Sequence, residues 1–325
     1  MGSHAVVELI KQNYGVVILD NLSNSHKKNL NILEEISSQK IDFYEADIRD
    51  EEKLNEIFRD KNISGIMHFA GLKSVKKSNS ERNEYFDVNV NGTRTLLNTL
   101  NETNNNKKFF IFSSSACVYG SPDYLPYDEN HSLCPNNYYG QTKLESELIL
   151  ENTFKNHKNW KIIILRYFNP IGSHHSYLLG DDPLGKPENL MPNILKAVNS
   201  DKESLKIFGS DHDTFDGTPV RDFIHVEDLI NGHVLALNFL KNSKKDIFEI
   251  FNLGNGEGLS VLQLIKLFED TNKVKVSYEF VGKRKEDLPI YFSSAKKIKE
   301  KLGWEPKLSA KDMCKSSWVF HKNNK

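Results

Sequence analysis

Tyrosine followed four residues later by lysine, in Tyr139-Gly140-Gln141-Thr142-Lys143, is the pattern in this chain best suited to moving a proton. On a helix, positions i and i+4 share a face, so the ammonium can lie close to the phenol. A phenol of pKa about 10 must fall about three units to act as a base near neutrality, which takes about 4 kcal/mol. A cation about 5 Å away at an effective dielectric of 20 supplies about 3 kcal/mol of that. Taken alone the spacing also suits an ordinary surface contact between neighbouring helical turns, so its surroundings decide.

Those surroundings begin with Phe112-Ser113-Ser114-Ser115-Ala116-Cys117-Val118-Tyr119-Gly120, where an apolar strand ends in three hydroxyls. In open parallel sheets ligands sit beyond the carboxyl ends of the strands, which places Ser115 to hydrogen-bond a substrate hydroxyl beside Tyr139. The plainer reading of Ser113–Ser115 is a cap on the next segment. Asp20 follows the apolar run Val16-Val17-Ile18-Leu19. An acid there accepts hydrogen bonds from both hydroxyls of an adenosine ribose and repels a 2′-phosphate, which favours NAD over NADP. The charged nicotinamide ring of that cofactor would then complete the lowering of the Tyr139 phenol. Asp47 follows Ile41–Ala46 and is placed either at the adenine or as a cap on the helix starting near Asp50. Small residues directly after a strand, in Phe69-Ala70-Gly71-Leu72-Lys73, permit a close backbone approach to a cofactor, with Lys73 near ribose or phosphate.

The elements that must position these groups alternate. Short apolar runs are expected as strands at Val16–Leu19, Ile41–Glu45, Gly65–Phe69, Phe109–Ser113, Ile162–Tyr167 and Phe248–Asn252. Amphipathic stretches between them predict helices at Ser3–Asn13, Asp50–Asp60, Asn89–Asn104 and Tyr138–Asn156, and Asn104–Lys108 reads as a polar loop. That alternation predicts an α/β chain with a Rossmann-like, doubly wound parallel sheet. From about Pro170 the chain becomes rich in Gly, Pro and Asp, as in Gly180–Gly185 and Gly209–Gly217, which marks a second lobe. The expected division is a cofactor domain at 1–169 and 223–253, and a smaller substrate lobe at 170–222 and 254–325.

A chain of 325 residues with 38% hydrophobic content can bury a sizeable core. Its formal net charge of -1 provides no global field to gather nucleic acid or an anionic membrane, so a phosphate partner must be held locally. Cys117, Cys134 and Cys314 are an odd number without CxxC spacing, which fits neither a disulfide framework nor a zinc site and points to a reducing, cytoplasmic home. No apolar run approaches membrane-spanning length. His174 and His175 are adjacent, without the helical spacing typical of a metal pair, and His68 lies inside an apolar strand, so no metal site is assigned.

Several motifs together resemble the UDP-glucose 4-epimerases of the extended short-chain dehydrogenase/reductase superfamily. They are Asp20–Asn24, His68–Lys73, Asn89–Thr93, Ser113–Gly120, Tyr139–Lys143, Arg166–Pro170, Asn189–Pro192, Ile207–Gly209, Val220–Val226, Asn252–Gly254 and Arg284–Pro289, and they span nearly the whole chain. The resemblance implies Ser115, Tyr139 and Lys143 as the catalytic set. It implies contacts to NAD from Gly2, Asp20, Asn21, Asn24, Asp47, Ile48, Phe69, Ala70, Gly71, Lys73, Asn89 and Phe168. It places a UDP-sugar against Asn169, Asn189, Leu190, Phe208, Arg221, Arg284, Asp287 and Tyr291, with the two guanidiniums forking onto the diphosphate. The implied reaction exchanges UDP-galactose and UDP-glucose through a 4-keto sugar that turns over within the site, and the expected assembly is a homodimer.

Three departures qualify the likeness. Cys117 stands where the family usually has Thr or Ser, and Phe223 replaces a usual Tyr near the nucleotide. Gly2 matches only the last glycine of the family's GxxGxxG turn, so about eleven residues of a first strand and its glycines are expected to be missing from the front. Such a chain should fold less well and hold NAD weakly. Two alternatives stay open: a related nucleotide-sugar dehydratase or decarboxylase, against which Ala116-Cys117 argue because an Asp-Glu pair usually stands there, and a non-catalytic Rossmann-like binding protein.

Overall fold

The structure, a computed structural model, describes residues 1–103, 107–198, 203–284 and 287–324. Of the polar loop expected at 104–108, residues 104–106 lie outside them, as do Lys285 and Glu286 within the last motif, while Lys108 opens a strand instead. In chain order the first half carries α1 (Gly2–Lys11), β1 (Val17–Asp20), α2 (Lys28–Ser37), β2 (Asp42–Glu45), α3 (Glu51–Asp60) and β3 (Gly65–His68). It continues through α4 (Val75–Ser80), α5 (Arg82–Phe86), α6 (Gly92–Glu102), β4 (Lys108–Ser113), α7 (Tyr138–Asn156) and β5 (Trp160–Tyr167). The second half holds β6 (Asn169–Ile171), α8 (Leu190–Val198), β7 (Leu205–Phe208), β8 (Val220–His225), α9 (Val226–Asn242) and β9 (Ile247–Leu253). It closes with β10 (Gly258–Ser260), α10 (Val261–Asn272), β11 (Tyr278–Val281), β12 (Ile290–Tyr291), α11 (Lys296–Leu302) and α12 (Ala310–Asn323).

Strands β3, β4, β5 and β9 form a parallel ladder in that order. Continuous apolar runs such as Phe109–Phe112 and Ile162–Leu165 form its centre, because a parallel strand is buried on both faces. Side chains alternate between the two faces. Phe110, Phe112, Ile162 and Ile164 meet Leu54, Ile57, Leu97 and Leu150 on the side of α3, α6 and α7. Ile111, Ile163 and Leu165 meet Leu229, Ala236, Ile298 and Trp304 on the side of α9 and α11. Strands β1 and β2 form a separate parallel pair. Among the described residues no ladder joins β1 to β3, and both strands are less buried than β4 or β5.

The remaining strands build two small sheets, one with β8 between β10 and both β6 and β12, the other pairing β7 with β11. Their core combines Met191, Ile194, Leu195, Phe223, Leu264, Phe268 and Met313. Strand β8 therefore belongs to the small sheet, while α9, which follows it directly, packs on the large one. Phe223 is buried in that apolar cluster.

The helix expected at Asn89–Asn104 is broken at its start: residues 87–91 wind as a π-helical turn before α6. On this turn the Asn89 carbonyl accepts from Thr93 Oγ1 and Ser146 Oγ, at 2.6 and 3.1 Å. Such single π-turns concentrate at functional sites.

Candidate functional site

Helix α7 presents the central residues. Asn137 caps it by accepting from the Gly140 N–H at 2.8 Å, and the Tyr139 N–H donates to Ser78 Oγ at 3.0 Å. Tyr139, Lys143 and Glu147 follow at four-residue intervals on its buried face. Gly140 allows this face to approach the turn at 116–118, since a Cβ there would lie 2.5 Å from the Cys117 carbonyl oxygen. Ser115 heads the same turn, accepting from the Cys117 N–H at 3.2 Å, and its hydroxyl also bonds the Tyr139 phenol. The capping and catalytic placements of Ser115 thus coexist. Ser113 and Ser114 turn elsewhere, towards His233 Nε2 at 3.0 Å and Glu147 at 2.5 Å.

The electrostatics differ from the expected pair. Lys143 Nζ donates to the Ser113 carbonyl at 2.9 Å and lies 5.9 Å from the centre of the Tyr139 ring, so it bonds the strand end instead of the phenol. Burial pushes Lys143 down to about 8, with Glu147 opposing. Burial also holds the Tyr139 phenol well above its ordinary value, the Ser115 hydrogen bond pulling it back only in part. With protein groups alone around it, Tyr139 is an acid and not a base.

Behind the pair lies a network absent from the sequence reading. Glu147 accepts from Arg166 Nη2 at 2.6 Å and from Nε at 3.1 and 3.2 Å, with both residues buried. Arg166 Nη1 donates to Tyr119 Oη at 3.2 Å, and that hydroxyl donates to Asn252 Oδ1 at 2.6 Å. Glu147 stands four residues beyond Lys143, so its place on this face was visible in the spacing, but its partner was not.

On the cofactor side, Asp20 ends β1 and its Oδ1 accepts from the Leu22 N–H at 2.8 Å and Ser25 Oγ at 3.0 Å. Asp47 takes Arg49 through both oxygens at 2.9 Å and Asn21 Nδ2 at 3.0 Å, and Arg49 holds it far below the usual carboxylate range. Ile48 is core, packed against Gly92. Phe69 faces the His233 ring, Ala70, Gly71 and Lys73 lie exposed after β3, and Asn24 is exposed in the loop after β1. The Asn89 amide is fully used within the protein: Oδ1 accepts from Leu72 N–H, while Nδ2 donates to the Leu72 carbonyl and Thr142 Oγ1. It clamps the ledge after β3 to α7. Gly2 opens α1 with a Cβ position 3.8 Å from Phe69, ordinary contact.

In the other lobe, strand pairing sets Tyr291 opposite Arg221. Arg221 Nη1 donates to the carbonyls of Val220 and Leu288, Nη2 lies 3.5 Å from Asp287, and burial lowers its pKa. Arg284 stacks 3.6 Å from the Phe208 ring centre. Tyr291 packs on Tyr127 and Phe168, each at 5.0 Å, and its buried hydroxyl has no hydrogen-bond partner among the described residues. Asn169 Nδ2 donates to the Asp222 carbonyl at 3.0 Å. Asn189 is exposed beside Asp181, and Leu190 packs on the lobe core. Cys117 is near both halves, since its field reaches Tyr139, Tyr291 and Arg221. Asp222, unassigned in the sequence, accepts from the N–H groups of Asn255, Gly256 and Ser293 and from Ser293 Oγ, tying the site's strands together.

These placements suit the two ligands. The Tyr291 hydroxyl without a partner is a buried polar atom that a ligand or a water has to satisfy. Gly71, at φ +149°, keeps open a ledge where a Cβ would stand 2.9 Å from Asn89 Oδ1 and 3.9 Å from Lys143 Nζ.

Comparison with known proteins agrees with this layout. The model of the NAD dependent epimerase/dehydratase family matches residues 1–254. A UDP-glucose 4-epimerase of Dictyostelium discoideum is 42% identical over 324 residues, covering 100% of this chain and 93% of the relative. The crystal structure of a UDP-glucose-4-epimerase from Stenotrophomonas maltophila, with bound NAD and formylated UDP-arabinopyranose, superposes with a TM-score of 0.95 at 39% identity, covering 99% and 95% of the two chains. One from Bifidobacterium longum in complex with NAD+ and UDP gives 0.94 at 38% identity, with the same coverage. The chain belongs to the NAD dependent epimerase/dehydratase family, with UDP-glucose 4-epimerases as full-length relatives.

Proposed function

We propose that this protein interconverts UDP-glucose and UDP-galactose at C4 of the sugar with NAD as cofactor. The observation that carries the reading is the buried Ser115–Tyr139–Lys143 arrangement at the carboxyl end of β4 in a chain 42% identical to UDP-glucose 4-epimerases. NAD supplies hydride acceptance and return. Asp20 Oδ2 is the acceptor we assign to the ribose diol, since Oδ1 already takes two protein donors. Tyr139 Oη removes and returns the proton of the sugar 4-hydroxyl, with Ser115 Oγ sharing that hydrogen bond. Lys143, anchored by the Ser113 carbonyl, offers positive charge below the phenol.

The sugar must present both faces of its 4-ketone, so the protein should grip the nucleotide end and leave the hexose room to turn. We assign that grip to Arg221 and Arg284, with Phe208, Asn169, Asn189, Leu190 and Asp287 around the UDP. Tyr291 then bounds the sugar pocket. In this division of labour 1–169 and 223–253 hold NAD, and 170–222 with 254–325 hold the UDP-sugar, with the end of β8 at 223–225 belonging by its pairing to the second lobe. A homodimer is the proposed assembly and the cytoplasm the proposed home, both carried from the family likeness and the three free cysteines. Among the described residues no helix is long and apolar enough to cross a membrane.

The test is conversion of UDP-galactose without added reductant, followed by a coupled UDP-glucose dehydrogenase. Tyr139→Phe removes the proton acceptor and should cost at least about 10²-fold in rate. Near-normal activity in that variant would remove Tyr139 from its role.

A further inference from the structure

His174, His175 and Glu227 are none of the residues assigned to the proposed reaction, and their ligand-capable atoms all fall within 4.8 Å of one another. His174 Nε2 is buried and has no hydrogen-bond partner among the described residues, and Glu227 Oε1 is 4.0 Å from it, beyond hydrogen-bonding reach. His175 Nδ1 meets the same Glu227 oxygen at 2.7 Å, and the His175 N–H donates to it at 3.0 Å. The two imidazoles lie with ring centres 4.0 Å apart. We propose that these three side chains bind a divalent transition-metal ion of the zinc class, pinning the 173–179 loop to the first turn of α9.

Two imidazoles and one carboxylate are a donor set that zinc takes, with a water completing the tetrahedron. Metal–ligand distances of about 2.0–2.2 Å place tetrahedral donors about 3.4 Å apart. The 2.7 Å pair must open and the 4.0 Å pair close, each by less than about 1 Å, and the two imidazole nitrogens, within 4.8 Å of each other, close by at most about 1.4 Å, movements open to the partly exposed Glu227 and exposed His175. Ser176 is the partner behind His174: its hydroxyl lies 2.8 Å from Nδ1 and its N–H 3.1 Å from the same nitrogen. Metal on Nε2 requires the proton on Nδ1, which then donates to Ser176 Oγ, while the Ser176 N–H gives up its contact. An outer hydrogen bond of this kind fixes the ring of a metal-bound histidine. Opposing terms are present too. The field of Lys11 reaches His174, and the amino end of α9 favours Glu227 as a free anion. The adjacency of the histidines hid this set, because the third ligand comes from another element 52 residues away.

The experiment uses the full chain after dialysis against a chelator, titrated with Zn²⁺ by calorimetry and with Co²⁺ by visible absorption. One saturable equivalent is expected, with the strong absorption of tetrahedral Co²⁺. His175→Ala and Glu227→Gln should each weaken binding by at least about tenfold. His26→Ala, whose ring pairs with Asp182 and not with this set, should leave it unchanged. His175 is exposed, so its variant keeps the fold and the result interpretable even if Glu227→Gln disturbs α9. Absence of a saturable equivalent, or binding that survives both substitutions, overturns the proposal. Because the readout is metal binding and not epimerisation, it stands or falls apart from the proposed reaction.

Discussion

Replacing Lys143 by methionine should make the protein more stable at pH 7 while disabling it. Lys143 is buried, and its pKa is pushed from the ordinary 10.5 down to about 8. Below pH 8 both folded and unfolded states carry the charge, and holding it in the fold costs about 3 kcal/mol for that displacement. Between about 8 and 10.5 the unfolded chain binds more protons than the folded one, so stability rises with pH; above 10.5 the cost is gone. Methionine removes the cost but also loses the bond to the Ser113 carbonyl, worth about 1 kcal/mol. It further loses the contact of Nζ with the Phe112 ring at 4.8 Å, worth about 0.5–1 kcal/mol. The net expectation is a gain of about 1–2 kcal/mol at pH 7 that shrinks and changes sign towards pH 10.5. Urea melts of the NAD-free proteins at pH 7 and pH 9.5 measure this directly, alongside UDP-galactose turnover. A variant less stable than the parent at pH 7, or a difference independent of pH, would show that burial of the ammonium is not what Lys143 endures in the fold.

Two further outcomes follow from buried contacts. Glu147→Ala leaves Arg166 charged and unpaired in the interior and should cost about 3–5 kcal/mol of stability, read from the shift of the urea midpoint; replacing both partners by Met and Leu should recover most of it. Tyr291→Cys takes away a ring packed on Tyr127 and Phe168, so acceptance of an N-acetylated UDP-sugar should rise relative to UDP-galactose. Equal kcat/KM for the two sugars in the parent would mean that Tyr291 does not narrow the pocket.

What the sequence determined by itself was local and periodic. All six expected strands formed, within two residues of their anticipated ends, and α7 spans the anticipated Tyr138–Asn156. Apolar runs and the i, i+4 repeat depend only on near neighbours, so they are legible without a fold. The Tyr139–Lys143 face was legible for the same reason, and so were the hydroxyls ending β4. Tertiary structure decided what each group could do. Lys143 turned to the Ser113 carbonyl, 30 residues back, and burial raised the phenol that the ammonium was expected to lower. Asn89 spends its side-chain amide on Leu72 and Thr142, clamping the ledge after β3 to α7 beside a π-turn that the helical pattern did not show. Arg166 and Glu147, and Glu227 with the two histidines, met only because sheet pairing and helix packing brought distant segments together. Desolvation and hydrogen bonding between remote residues are properties of the packed chain, and no pattern along the sequence encodes their sign.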